Sequence, residues 1–481
     1  MMNAILDFSK ERRKTFLLCL FSLSLSIRLC AVFLSTLLPT HKGEINSNYE
    51  HDVIPSKHID PSIKQGFMGR NADYEYGIIA RSIVDGKGYS MPIVEFDDNL
   101  VPKNTINYRP SAEQTPFFPY FLSLFYFFSK DPIIFFLIRI VHAVVSALTC
   151  VVLYVMALRL IHYKAAFILG ILFSFYPLFI STTVKIVPET FFTFWLSLTI
   201  LSLFYLKDSP SFKNITITGL LTGITLLNNN AITPFLPLAG IWLLINLKGT
   251  FQKKVLKISF VFFISMLVMS PWLMRNFVVF KKFPLLKSTS GLNLWLGNNP
   301  SSSGTFFSKS GEDLNNIISE KFPEALKLSE VEQDAVFYRE AIDYIKANPA
   351  NYVKSVFKRF YYYWWFPPNE LITKNTLSYK KLMGIPYFII LISCIIGIFN
   401  TMRNNWRDCL LLVMLLFSIS FLYSLFVVGH LRYRVPIEPY FLLFASQTIF
   451  TFLKKIRTTM SSSYRDRGFA LPQKQTEAEY P

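Results

Sequence analysis

Charge is scarce in this chain. Asp, Glu, Lys and Arg make up 17% of its 481 residues, against 52% hydrophobic ones, where a soluble domain carries about 25% charged residues. Cysteine is also rare. Its five copies lie in or beside apolar runs, and none falls in either long polar segment, which excludes a disulfide framework there; Cys-x-x-Cys spacing is absent. His41, His51 and His58 share one polar segment without any standard zinc spacing, so they read as solvated loop residues and no metal is expected. No P-loop and no dinucleotide-binding glycine fingerprint occurs. Energy for a reaction must then come from an activated substrate or a gradient. No stretch interleaves basic and aromatic residues as an RNA-binding surface does, so the net charge of +18 does not point to nucleic acid. Internal repeats are missing too, which counts against the paired-repeat design of many transporters.

What is present is apolar length. Runs near the roughly 20 residues that cross a bilayer recur at 15–38, 132–160, 165–185, 190–206, 214–230, 232–247, 257–279, 384–400, 409–428 and 436–453. The expectation is an all-α polytopic membrane protein with about ten transmembrane helices. The first run follows Lys10-Glu11-Arg12-Arg13-Lys14, is longer than a signal-peptide core and lacks a small-x-small cleavage site, so it is read as a retained helix. The short basic turns at Arg159/Lys164, Lys207/Lys213, Lys248 to Lys257 and Arg403/Arg407 alternate onto one face with the N-terminus and Lys454-Lys455. That face is cytoplasmic by the positive-inside rule, and both termini with it.

Two long segments then lie on the opposite, extracytoplasmic side: a first loop at 39–131 and a second at 281–383, both within one membrane domain spanning 1–460. The stretch Pro116 to Ser129 reads as a helix lying on the membrane surface. In the second loop, Gly291 to Pro300 reads as turn-rich. Ser329 and Glu332 form a capping box for a helix to about Lys346. Asn348-Pro349 breaks it, and a second amphipathic stretch runs from Tyr352 to Phe366. The tail at 461–481 reads as disordered.

Asp73 and Glu75 sit in the first loop, two residues apart and hence on different faces of a helix through Val84. Asp73 is either a reactive carboxylate or a plain helix cap. Glu189 follows Val187-Pro188 between two spans on the same outer face. It is either a functional acid or a solvated residue at a helix start. Arg275, Arg432 and Arg434 fall at the outer membrane edge, Arg109 precedes the surface helix, and Arg139 lies in a span. Their planar forks suit phosphate oxygens, although snorkelling to lipid headgroups accounts for such residues equally well.

Taken in order, these motifs resemble the membrane glycosyltransferases of the GT-C fold, in the group of the protein O-mannosyltransferases and lipid A aminoarabinose transferases and their lipopolysaccharide-modifying bacterial relatives. The runs that carry the resemblance are Asp73-Tyr74-Glu75-Tyr76, Asp85 to Tyr89, Arg109-Pro110, Val187-Pro188-Glu189-Thr190, Ser270-Pro271-Trp272 with Arg275-Asn276, the Gly291 to Pro300 loop, and Arg432-Tyr433-Arg434 with Pro436 and Pro439. The resemblance implies a polyprenyl-phosphate sugar donor, inversion at the anomeric carbon, and an extracytoplasmic active site in a bacterial inner membrane. It makes Asp73 the catalytic general base, with Glu189 as a second catalytic acid and Glu75 as a further catalytic candidate. The acceptor would be lipopolysaccharide or lipid A, another glycan, or a protein. Two departures stand out. Tyr74 separates Asp73 from Glu75 where relatives carry adjacent acids, and Asn228-Asn229-Asn230 stands where relatives often have Arg-Pro. Alternative readings are a lipid-linked polysaccharide ligase or polymerase, and a lipid-linked sugar flippase or transporter.

Overall fold

A computed structural model describes residues 10–37, 74–96, 102–129, 133–282, 287–427 and 431–466. Its helices, in order, are α1 Lys10–Leu37, α2 Tyr74–Val84, α3 Phe117–Phe128, α4 Ile133–Leu160, α5 Tyr163–Phe175, α6 Pro177–Val184, α7 Glu189–Asp208 and α8 Phe212–Asn228. There follow α9 Phe235–Asn246, α10 Phe251–Phe280, α11 Ser290–Gly297, α12 Leu314–Lys321, α13 Glu330–Ala347, α14 Pro349–Trp364, α15 Lys374–Leu425 and α16 Glu438–Asp466.

A helix occupies each of the apolar runs read from the sequence. By length and apolarity five of the described helices qualify as spans, and six if α5 and α6, bent by 47°, form one broken crossing. The rest are short, as α8 and α9 are, or charged towards one end, as α16 is. Two of the expected spans are fused in α15, which turns back through non-helical dihedrals at Asn405. The basic residues Arg403 and Arg407 flank that kink. Neighbouring helices share it: Asn405 donates to the Arg159 carbonyl at 3.4 Å, and Lys207 and Asp408 form an ion pair at 2.5 Å.

Helices in lipid gain little from the hydrophobic effect against one another, so close packing and satisfied polar groups must hold them. Both devices are present. Gly219 and Gly223, one turn apart on α8, let α10 approach until an added Cβ would lie 2.7 Å from Ile264 and from Val268. Arg28 is fully buried between α1, α4 and α5. It donates to Ser146 and Ser24 hydroxyls at 2.6 Å and to the Phe173 carbonyl at 3.3 Å, and its guanidinium lies 5.0 Å from the Phe173 ring. A buried charge in a membrane needs such a complete set of acceptors.

Two expectations are corrected, and the described portion of the first loop adds a strand pair that was not read from the sequence. It holds an antiparallel hairpin, β1 Ser90–Phe96 and β2 Pro102–Pro110, paired from Ser90 with Pro110 to Phe96 with Pro102 and bulged between Val94 and Phe96. Gly291 to Pro300 is mostly helical, as α11, with the turn confined to its end. Of the tail read as disordered over 461–481, residues 461–466 continue α16 as helix, and 467–481 lie outside the described residues.

Other features of the second loop agree with the sequence. The Ser329 N–H and hydroxyl donate to Glu332 at 3.2 and 2.6 Å, so the box caps α13. Pro349 opens α14, which ends ahead of Pro367.

Candidate functional site

A cavity of about 240 Å³ opens where the ends of several helices meet the two long loops. Glu189 enters it from the first residue of α7, because Pro188 starts that helix and fixes the turn before it. Asn229 and Asn230 enter from the end of α8, where Asn229 accepts from the Ala231 N–H at 3.0 Å. Lys287 and α11 form the loop-two wall. Tyr423 at the end of α15 and Arg432 and Tyr433 ahead of α16 close the other side. Tyr423 and Tyr433 stack at 4.4 Å, and Tyr363 donates to the Tyr433 carbonyl at 2.9 Å, which makes that side rigid.

Loop one completes the wall with Glu113, Gln114 and Tyr76. It is tied down on both flanks. Thr115 donates to the Asn228 carbonyl at 2.6 Å, and the Ser288 N–H donates to the Ala112 carbonyl at 2.9 Å. Lys287 donates to the Gln114 amide oxygen at 2.9 Å, so the cation is held at the cavity edge.

Glu189 is 6% exposed, and its Oε2 has no hydrogen-bond partner among the described residues. The cations acting on it are Arg432 first, then Lys287 and Lys185. A buried carboxylate beside two cavity-lining cations makes a site of mixed charge, suited to a ligand that carries both an anionic group and hydroxyl donors.

The structure sorts the residues named from sequence into two groups. Glu189 and Arg432 line the cavity together. The other arginines are engaged elsewhere. Arg275 donates to the Ser111 and Tyr89 carbonyls at 2.6 and 2.7 Å, fastening the two ends of the hairpin. Arg434 is buried, pairs with Glu438 at 3.2 Å and lies 4.4 Å from the Tyr387 ring. Arg139 donates to the Val184 carbonyl at the end of α6, and Arg109 to the Leu328 carbonyl, both at 2.9 Å. Glu75 stands on the first turn of α2, one residue before the cavity-lining Tyr76. Asp73 lies outside the described residues, immediately before the start of α2.

Lys287, Asn229, Asn230 and the α11 wall were not identified as site residues from sequence. The asparagine run at the end of the 214–230 apolar run was noted only as a departure from the pattern of the relatives the chain resembles. Lys287 is hidden among the lysines that follow α10. Among the described residues no group of three or more His, Cys, Asp or Glu side chains is placed to hold a metal.

The fold is GT-C, the architecture of a class of membrane glycosyltransferases. Residues 113–274 match the family model of dolichyl-phosphate-mannose-protein mannosyltransferase. The chain is similar in structure to the archaeal oligosaccharyltransferase AglB from Archaeoglobus fulgidus, solved with an inhibitory peptide and a dolichol-phosphate. The TM-score is 0.54 at 12% identity, over 96% of this chain and 53% of that one. The apo form of the oligosaccharyltransferase from the same organism gives 0.53 at 12% identity, over 95% and 52%. A fainter likeness, TM-score 0.33 at 11% identity over 79% and 73%, is to ArnT from Cupriavidus metallidurans bound to undecaprenyl phosphate. The chain thus spans about half the length of the oligosaccharyltransferase it matches. No curated protein matches it by sequence. It is a multi-pass membrane protein.

Proposed function

We propose that this protein transfers a sugar from a polyprenyl-phosphate carrier to an acceptor hydroxyl at the extracytoplasmic face of the membrane. One observation carries the reading: a single cavity joins the buried carboxylate of Glu189 to Arg432 and Lys287, at the side where α2 begins one residue after Asp73. In this mechanism Asp73 takes the acceptor proton as general base. The acceptor oxygen attacks the anomeric carbon from the face opposite the phosphate. The carbon–oxygen bond to the phosphate breaks, the configuration inverts, and the bonding pair leaves with the phosphate. Arg432 and Lys287 stabilise the charge that gathers on the departing phosphate monoester. Glu189 orients the sugar or the acceptor through hydroxyl hydrogen bonds. The second loop, with α11 as its inner surface, covers the cavity and limits hydrolysis of the donor. The family match over residues 113–274 and the dolichol-phosphate in the AglB structure support a lipid-phosphate donor. Lipopolysaccharide or lipid A, another glycan, and a protein all remain acceptor classes for this site.

The test is Asp73→Asn in reconstituted membranes supplied with a polyprenyl-phosphate sugar and a cell-envelope glycolipid extract. The variant should insert and fold as the parent does yet transfer no sugar. Transfer at the parental rate would remove Asp73 as the base. Movement of intact donor across the bilayer, with no bond broken, would replace the transferase by the flippase reading.

A further inference from the structure

α11 is the element of loop two that faces the cavity, through Ser290, Leu292, Asn293 and Leu296. An eight-residue helix in a loop has little stability of its own. Here each end is held by a charge of matching sign. At the N-terminus Asp334, from α13, accepts from the Leu292 N–H at 3.0 Å and also faces the N–H groups of Gly291 and Ser290. At the C-terminus the buried Arg359, from α14, donates to the Gly297 carbonyl at 2.7 Å and to the Asn298 amide oxygen at 3.1 Å. The same guanidinium donates to the Ser424 and Leu425 carbonyls at 2.6 and 3.4 Å, at the end of α15. It therefore bridges two walls of the cavity, since Leu422, Tyr423, Phe426 and Val427 line the α15 side. Negative charge at a helix start and positive charge at its end both follow the helix dipole.

The backbone packing is equally restrictive. A Cβ on Gly291 would lie 2.0 Å from the Asp334 carbonyl oxygen, and one on Gly297 would lie 1.6 Å from that of Phe426. These glycines serve close approach rather than a turn. Burial lowers Arg359 to about 10, so it keeps its charge at neutral pH.

We infer that Asp334 and Arg359 are positioning residues that hold α11 as a preformed wall, so that Ser290 and Asn293 meet the hydroxyl groups of a sugar ring in a fixed geometry. This rests on the sugar-transfer reading and deepens it: the sugar moiety of the carrier lies against α11, while its phosphate lies towards Arg432 and Lys287. A wall that is already ordered lowers the entropic cost of binding. Loosening it should weaken donor binding more than it slows the chemical step.

The experiment compares the full-length wild type with Asp334→Asn, Arg359→Lys and Arg359→Met. Two measurements are made: steady-state transfer with a polyprenyl-phosphate sugar, and hydrogen exchange of the amides at 290–298. Arg359→Met should speed exchange there and raise the donor KM about tenfold, with kcat changed less than about threefold. Arg359→Lys keeps the charge but not the fork, and should partly reverse both effects. If Arg359→Met fails to fold, Asp334→Asn and Arg359→Lys carry the comparison, with the same direction expected. Wild-type exchange at 290–298 and an unchanged KM, with only thermal stability reduced, would overturn the inference and leave these residues purely structural. Absence of transfer by the wild type would instead sink the sugar-transfer reading, while the exchange data would still decide whether the two charges order α11.

Discussion

Replacing Arg432 and Arg275 by Met, one at a time, should resolve a catalytic from a structural role where the sequence alone cannot. Both are arginines read from sequence as lying at the membrane edge. Arg432 lines the cavity, and its charge is the largest Coulombic influence on Glu189. Arg275 points to backbone carbonyls of Tyr89 and Ser111 at 2.7 and 2.6 Å. Loss of one preorganised donor to a leaving oxyanion costs about 2.7–4 kcal/mol, or roughly 10²–10³ in kcat. Arg432→Met should therefore lower turnover by about that factor while leaving the fold intact. Loss of Arg275 removes three charge-assisted bonds, to the Ser111 and Tyr89 carbonyls and to the Asn276 amide oxygen at 2.9 Å, each worth roughly 1.5–3 kcal/mol; the Tyr89 carbonyl keeps the Ser111 N–H at 3.1 Å, while the Ser111 carbonyl loses this donor. Arg275→Met should destabilise the protein by about 3 kcal/mol or more, and turnover per folded molecule should fall by less than about tenfold. The assay is transfer from a polyprenyl-phosphate sugar, normalised to the monodisperse folded fraction, alongside denaturation midpoints. The reverse pattern, a stable but inactive Arg275→Met and an active Arg432→Met, would refute the assignment and restore Arg275 as the phosphate ligand.

Other outcomes follow from the same geometry. Gly297→Ala forces a Cβ to 1.6 Å from the Phe426 carbonyl oxygen, so folded yield should fall sharply, whereas Ala at the more open Gly384 should be tolerated in the same expression assay. Ser329→Ala removes the cap of α13 and should cost about 1 kcal/mol, read as a lower denaturant midpoint. Docking of loop two on loop one should depend on pH through Glu330, whose Oε1 accepts from the Ala112 N–H at 3.0 Å. Burial, opposed by Ser111, Ala112 and Arg275 and aided by Asp334, raises this carboxyl from 4.5 to about 7. A raised folded-state value means that the fold favours the protonated acid. The contribution is thus fully present below pH about 4.5 and is lost as pH rises through about 7. Hydrogen exchange around Ala112, corrected for its intrinsic rate, should be slower at pH 5.5 than at pH 8. Glu330→Gln should flatten that difference.

The helical bundle was legible because its signal is long-range and redundant: apolar length and basic turns report the same spans. Capping at Ser329 and the break at Asn348-Pro349 were legible because they are local. The hairpin was missed because Ser90 to Phe96 and Pro102 to Pro110 are short, polar-flanked and bounded by no strong two-residue turn. α11 was missed for a different reason. Its glycines look like turn residues in one dimension, and only the approach of Asp334 and Phe426 gives them another purpose. Glu189 could be singled out because an acid between two spans is conspicuous. Which arginine faces the cavity could not be read, since the deciding acceptors of Arg275, Arg109 and Arg139 at Tyr89, Ser111, Leu328 and Val184 are backbone carbonyls of distant segments. Charge type is written in a sequence; the direction in which a guanidinium points is not.

Phosphorus NMR of the purified wild type in liposomes, given a polyprenyl-phosphate sugar and an envelope glycolipid acceptor, tests the central claim most directly. The expected result is conversion of the carrier phosphodiester to a phosphomonoester that requires the acceptor and is lost in both Asp73→Asn and Arg432→Met. A diester signal that persists with every acceptor offered, or a conversion rate unaffected by those two substitutions, would contradict it.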